Sequence, residues 1–374
     1  MQTDRPGLTR RERIVYPPGM PETDLQQDPD GTSLEAQRLR SRLFAETRAF
    51  LSAAGYLEVD VPVLAPTLIP EGHLEVFETA FLHPYVDPPR RSPLYLTPSP
   101  EVYLKRLLAA GWPSLFAISR AFRNAEAVGP QHNPEFTMLE FYTRRARAED
   151  SIPLMAGLLD HLLRSLEDEL EAYRARRRRR PLPELLRGGA ERLAAERAGV
   201  DELMRRHAGL PAGWAESMER LQAAARGVGV LPSEAESFES LFNRIFVHFV
   251  EPALPREGLC FVTDYPAAVP TLARDVEERP WSERWELYLC GLEVANCYTE
   301  ETRPDRVAAF FHTEHAKKQS SLVPHPSDPA YPDLFGESSE PLSGVAVGMD
   351  RLLMAVLGAK EIKEVMVFPT RPVV

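Results

Sequence analysis

LFAISRAFRNAEAVGPQHNPEFTMLEFY, residues 115–142, reads as two strands joined by the polar break AVGPQHNP. EFTMLEFY alternates with a period of two, which puts Phe136, Met138, Glu140 and Tyr142 on one face. A carboxylate in that otherwise apolar row calls for an explanation, because burying a charge without a partner is costly. Arg123 ends the first strand and Asn133 precedes the second. A hairpin here can hold a phosphate with Arg123 while Phe136 offers a flat apolar surface to a base. The plain alternative for Phe136 is an ordinary core position.

Upstream, apolar residues recur at Leu39, Leu43, Phe50 and Leu51 and Gly55 follows, so residues 34–54 read as an amphipathic helix closed by glycine. LEVDVPVL (57–64) alternates as a strand with one buried face, and Pro62 suggests an edge or an interface. LYLTPSPEVYLKRLLAAG (94–111) reads as a short strand, then Ser99 as N-cap, Pro100 at the first helical position and Gly111 closing the helix. Residues 1–33 are polar and lack apolar periodicity, which marks an N-terminal extension ahead of a folded region spanning 34–374.

Downstream, 151–250 reads as a mainly helical insertion. It contains the run Arg176 to Arg180, a solvated helix face or, functionally, a docking patch for an acidic partner. Strands are expected at LCFVTDYP (259–266), RWELYLCGLEVANC (284–297), SGVAVG (343–348) and EVMVF (364–368), with the helix MDRLLMAVLG (349–358) before the last. Strands and helices mix without regular βαβ alternation, which indicates an α+β fold.

If Cys290-Gly291 is a two-residue hairpin turn, Glu293 stands opposite Tyr288 and shares a face with Glu286. Adjacent carboxylates repel unless a cation, a proton or an arginine lies between them. A divalent metal, naturally magnesium carrying ATP phosphates, satisfies that requirement. Two solvated glutamates on an exposed hairpin are the alternative. In SGVAVGMDRLLMAVLG small residues precede a helix with Arg351 in its first turn, a place where free N–H groups and a guanidinium favour phosphate.

The 374 residues are 44% hydrophobic and 26% charged with a net charge of -11, values of an ordinary globular protein without a broad basic surface for nucleic acid. No apolar run is long enough to span a bilayer and the N-terminus lacks a secretory core, so a cytoplasmic location without membrane contact is expected. Cys260, Cys290 and Cys297 have no metal-ligand spacing and read as reduced thiols.

Together these stretches resemble the three class II aminoacyl-tRNA synthetase motifs. EVDVPVLAP is similar to motif 1, FRNAEAVGPQHNPEFTMLEFY to motif 2 and GVAVGMDRLLM to motif 3. TPSPEVYLKRLL, HNPEFTMLEFY and GLEVANCYTE are close to the same stretches of lysyl-tRNA synthetases. With only some 33 non-periodic residues ahead of the first helix, the chain looks like the stand-alone elongation factor P lysine ligases, which have the catalytic core without an anticodon domain. Those ligases attach (R)-β-lysine, or less well α-lysine, to a lysine of the translation factor.

The resemblance implies an antiparallel sheet flanked by helices, ATP and Mg2+, a homodimer built around motif 1, elongation factor P as acceptor and no role for tRNA. It implies that Arg123 contacts the α-phosphate and the substrate carboxylate, and that Arg351 binds the γ-phosphate. Asn133 and Phe136 would hold the adenine, in an ATP site that also includes Asn124, Ala125, Glu126, His132, Val294 and Gly348. Glu286 and Glu293 would hold the magnesium. Ser99, Pro100 and Glu101 would lie at the amino group, Asn296 at the carboxylate, and Glu140, Tyr142 and Glu300 at the substrate's side-chain end. Ala125 stands where the class has glutamate, Gln131 where a basic residue is common, and Cys297-Tyr298 where glycine and phenylalanine are usual. Rival readings are a truncated lysyl-tRNA synthetase, a small-amine ligase, or a non-catalytic regulator of the same fold.

Overall fold

The computed structural model describes residues 32–125, 129–336 and 340–370. Within them lie strands β1 (Leu57–Glu58), β2 (Leu64–Ala65), β3 (Phe77–His83), β4 (Arg90–Leu96), β5 (Leu115–Phe122), β6 (Glu135–Arg144), β7 (Arg197–Gly199), β8 (Leu259–Pro266), β9 (Trp281–Leu289), β10 (Leu292–Thr299) and β11 (Leu342–Gly348). One sheet has the order β1-β5-β6-β11-β10-β9-β8-β7, and β2, β4 and β3 make a small second sheet. Only the edge pairs β1 with β5 and β7 with β8 are parallel. The fold is therefore the expected α+β architecture, an antiparallel sheet flanked by helices.

One face of the large sheet is the core. Leu139, Phe141, Trp285, Leu287, Cys297, Val345 and Val347 cluster with the helices Leu34–Ala53, Ala148–Ser165 and Met349–Leu357. Ser33 starts the first of these, its Oγ accepting from Ala36 N at 3.1 Å, and Gly55 at φ +89° follows its end. Buried Asp350 joins three elements, accepting from Arg40 Nη1 at 2.5 Å and from the Thr137 N–H at 2.7 Å. That shared carboxylate fixes the helix Met349–Leu357 against β6.

Between residues 151 and 250 the chain divides its packing. Residues such as Leu159, Leu163, Tyr173 and Leu193 join the main core. Trp214, Phe242 and Phe246 instead build a second cluster against Val262 and Tyr265 of β8 and Tyr288 of β9. The arginine run is largely satisfied within the chain: Arg176 pairs with Glu35, Arg179 with Glu364 and Arg180 with Glu257. Arg176, Arg178 and Arg180 stay exposed, as a solvated face would be.

Three expectations fail locally. LEVDVPVL is not one strand: only Leu57–Glu58 and Leu64–Ala65 pair, because Pro62 has no N–H to donate and Val59 and Val61 are only half-buried. EVMVF is not a strand either. The Glu364 carboxylate accepts from the Lys360 and Glu361 N–H groups at 2.8 and 3.1 Å, which closes a 3-10 turn at Ile362–Glu364. The helix expected to start at Pro100 starts at Glu101, with Pro100 just before it in the αR region and Ser99 Oγ accepting from Glu101 N at 3.3 Å. No helix among the described residues is long and apolar enough to cross a membrane.

Candidate active site

The other face of the sheet is built by the same alternation. Register sets Met138, Glu140 and Tyr142 of β6 against Gly348, Ala346 and Gly344 of β11, and Ala346 and Gly344 in turn against Asn296 and Tyr298 of β10, while Phe136 on the same face of β6 pairs with Ala121 of β5. Asn296 stands opposite Glu286 and Tyr298 opposite Arg284 on β9. Because β11 contributes only glycine and alanine here, its strand forms a floor rather than a wall. Above it lies a cavity of about 470 Å3, a size typical of small-molecule sites.

Arg123, Phe136 and Arg351 line this cavity together with Asn133, His132, Val294 and Gly348. The Arg123 guanidinium lies 5.4 Å from the centre of the Phe136 ring. Arg351 is anchored by the Glu293 carbonyl at 3.2 Å and by His132 Nε2 at 2.7 Å, which leads it across to the β10 side. Asn133 is buried and pinned at both ends, donating to Glu135 O at 2.6 Å and accepting from Thr370 N at 2.9 Å. Its amide thus shapes the loop beside the cavity. Asn124 donates to Val76 O at 3.3 Å and Ala125, at φ +56°, is exposed; neither lines the cavity. Glu126 lies outside the described residues.

The Cys290-Gly291 turn forms with both residues at positive φ, 52° and 76°, as a two-residue hairpin requires. Leu292 pairs with Leu289 and Glu293 with Tyr288, after which the register shifts at Val294. Glu286 and Glu293 both line the cavity. Burial raises the Glu286 carboxyl above its ordinary range and the Glu293 charge adds to that, while Arg284 opposes it from 2.7 Å. Tyr265 also donates to Glu286, at 2.5 Å. Glu293 is the more exposed carboxylate, 3.6 Å from Arg351 Nη1. No group of three or more histidine, cysteine or acidic side chains suited to a metal occurs among the described residues. Two carboxylates facing one cavity fit magnesium of the kind whose remaining ligands are phosphate oxygens and water.

Beside the cavity is a buried polar box. Glu140, Tyr142, Glu300 and Lys105 are almost fully buried, and Glu101 and Tyr298 join the box to the cavity wall. Lys105 Nζ lies 2.5 Å from both Glu101 Oε1 and Glu300 Oε2. Burial alone would lower the Lys105 ammonium, but Glu101 and Glu300 together hold it well above its usual range. Burial pushes the Glu300 carboxyl up to about 8 against the pull of Lys105. Glu140 is raised well above the ordinary range by burial and by Glu101. Ser99 and Pro100 sit at the start of the helix carrying Glu101, and Asn296 lines the cavity, its Oδ1 accepting from Arg284 Nε at 3.3 Å.

The structure therefore brings Arg123, Arg351, Glu286, Glu293, Asn296 and Glu101 to one cavity, with Glu140, Tyr142 and Glu300 behind it. Sequence reasoning missed Lys105, Arg284 and Gly344, and noted Tyr298 only as a departure from the family pattern. A Cβ on Gly344 would stand closer than 3.0 Å to Glu300 Oε1 and to the Tyr142 ring, so this glycine makes room for the box. The only signal in the sequence is the run of small residues in SGVAVG.

An antiparallel sheet carrying an arginine and a carboxylate pair at opposite sides of one cavity has the layout of a class II synthetase. The family description for class II tRNA synthetases (D, K and N) matches residues 31–372, and the chain belongs to that family. Its similarities include the elongation factor P–(R)-β-lysine ligase of Haemophilus ducreyi, 32% identical over 340 residues that cover 90% of this chain and 94% of that protein. The protein of the same name from Vibrio parahaemolyticus is 33% identical over 343 residues, 90% and 96% of the two chains. That from Yersinia enterocolitica is 32% identical over 333 residues, 88% and 93%.

Gly344→Ala is expected to lower stability by about 1–3 kcal/mol through overpacking of the box. Gly348→Ala, whose Cβ would meet its nearest atoms at 3.8 and 3.9 Å, is expected to change it little. Urea denaturation of the two variants checks this; equal midpoints would show that the box tolerates the extra carbon.

Proposed function

We propose that this ligase activates lysine or (R)-β-lysine as the aminoacyl-adenylate and transfers it to a lysine side chain of elongation factor P. The observation that carries the reading is the junction of two unlike environments. A cavity edged by Arg123, Arg351, Glu286 and Glu293 adjoins a buried box holding the carboxylates of Glu101, Glu140 and Glu300. The first suits a triphosphate and the second an amino acid with two ammonium groups. The names of the relatives support the same substrate and acceptor.

In the proposed reaction the substrate carboxylate attacks the α-phosphorus of ATP in line, forming the mixed anhydride and releasing pyrophosphate. Arg123 and Arg351 stabilise the negative charge that grows on the phosphate oxygens. Magnesium, when bound through Glu286 and Glu293, supplies further charge neutralisation at the phosphates. The acceptor lysine then attacks the anhydride carbonyl as its neutral amine, an amide forms and AMP leaves. Phe136 offers its ring to the adenine, and Asn296 faces the end of the amino-acid site where the carboxylate reacts.

ATP–pyrophosphate exchange with each lysine isomer, followed by mass measurement of elongation factor P, tests the reading. Exchange with at least one isomer and a gain of one lysyl mass on the factor are expected. Exchange with neither, or a product found on tRNA, would refute it. Arg123→Ala and Arg351→Ala are each expected to slow exchange by about 10²–10³, the scale for removing one preorganised charge-stabilising donor.

The box also makes binding pH-dependent. With Glu300 at about 8, much of the free site carries a proton there at neutral pH. A bound ammonium favours the ionised carboxylate, so binding near pH 7 should release protons and tighten as pH rises towards 8. Calorimetry of lysine binding in two buffers of different ionisation enthalpy reads this directly; identical apparent enthalpies would rule it out.

A homodimer is proposed across the segment that carries Pro62, where Leu57 of β1 and Leu64 of β2 remain exposed. Light scattering that finds only monomer at working concentration would reject it. A cytoplasmic location is proposed with it, since a translation factor would be the acceptor.

A further inference from the structure

We propose that Lys105 is a positioning residue of the amino-acid site: by bridging Glu101 and Glu300 it fixes where the two carboxylates meet the substrate's ammonium groups. The inference rests on the diamino-acid reading above and assigns a role to a side chain which that reading does not use.

The geometry is specific. Lys105 projects from the helix Glu101–Ala109 with almost no exposure, and its ammonium reaches Glu101 on its own helix and Glu300 just beyond β10, each at 2.5 Å. The Tyr298 ring lies 5.5 Å from Nζ, and Tyr298 OH donates to Glu101 at 3.4 Å. Glu140 and Tyr142 face the same space from β6, Tyr331 from its 3-10 turn, and half-buried Glu71 from the loop before β3. The charges that act most strongly on Lys105 belong to acids and phenols, Glu101, Glu300, Tyr331 and Tyr298, while Arg123, His73 and Arg106 act on Glu71 and Tyr331 at the margin.

Charge counting explains why a lysine belongs there. With substrate bound and all three ionised, Glu101, Glu140 and Glu300 set three carboxylates against one ammonium, a surplus of two negative charges that two substrate ammonium groups would balance, while Glu71 stands at the margin, where Arg123 and His73 also act on it. Without Lys105 the same space would hold three carboxylates and no fixed cation. Protonation, already favoured at Glu300 in the free site by burial, would then be favoured further, and a protonated carboxyl no longer attracts an ammonium. Lys105 also ties the helix to the strand, so the distance between the two carboxylates is set before substrate arrives.

The test is ATP–pyrophosphate exchange by the full chain from pH 6 to 9 with lysine as the probe, comparing wild type, Lys105→Met and Lys105→Arg. Lys105→Met should raise the KM for lysine on the order of 30-fold or more, the scale for breaking a buried charge pair at a binding site. The KM for ATP should stay near its wild-type value, and the pH at which the lysine KM improves should move upward. Lys105→Arg keeps the charge and should restore the wild-type pH midpoint. A merely structural lysine would give equal rises in both KM values, or a loss of kcat alone, with an unmoved midpoint; either result overturns the inference. Should the methionine variant fail to fold by circular dichroism, Lys105→Gln, which keeps length and a donor but no charge, is read by the same criteria. Absence of exchange in the wild type with either lysine isomer would instead defeat the functional reading itself, an outcome distinct from a wild type that reacts and variants that match it.

Discussion

Consecutive side chains of a β-strand point to opposite faces, so every strand under the cavity has to carry two programmes at once. In β9, Trp285, Leu287 and Leu289 enter the core while Arg284, Glu286 and Tyr288 occupy the site face. In β11, Val345 and Val347 pack inward while Gly344, Ala346 and Gly348 clear the floor. A slip of one residue would bury Glu286 against the helices and put Trp285 in the cavity. Core packing and site geometry are therefore one constraint, and the apolar face holds the register that the polar face uses.

The charges obey a second rule, that acids on the site face stand near a cation of the chain. Glu286 has Arg284, Glu293 has Arg351, and Glu101 and Glu300 share Lys105. These pairs differ in depth. Glu293 is 43% exposed on its side chain, so water screens it and its link to Arg351 is easily exchanged for a phosphate or a metal. Glu300 is 1% exposed, where an ion pair is replaced only by another cation of good geometry. The shallow end suits a ligand that must leave as pyrophosphate, and the deep end suits one that must be recognised.

That division also explains what could be read from the residues alone. EFTMLEFY and the Cys290-Gly291 turn announce themselves, because strand alternation and a two-residue turn are local. Arg123, Arg351 and the two glutamates were legible through chemistry at short spacing and through likeness to a family. Lys105 was not, since its meaning depends on Glu300, which follows it by about half the chain, and on its own it is one more lysine in an amphipathic helix. Gly344 was hidden for the same reason: what requires the missing Cβ is Tyr142 on one neighbouring strand and Glu300 beyond the other. LEVDVPVL and EVMVF misled because alternation was present without a continuous ladder of hydrogen bonds, one stretch interrupted at a proline and the other drawn into a turn by Glu364.

Depth has a further consequence for selectivity. A buried carboxylate that loses its ligand must be protonated or left unpaired, and both states cost free energy that a solvated carboxylate would not incur. An amino acid without a second ammonium would leave the box in that condition, whereas a diamino acid completes its charge balance. Discrimination of this kind acts against ligands that lack a group, and it can exceed what an added methylene contributes in an apolar pocket by several orders of magnitude. The same logic places little constraint on where the first amino group sits along the substrate backbone, provided that both ammonium groups reach their carboxylates. The small residues of β11 leave that latitude open.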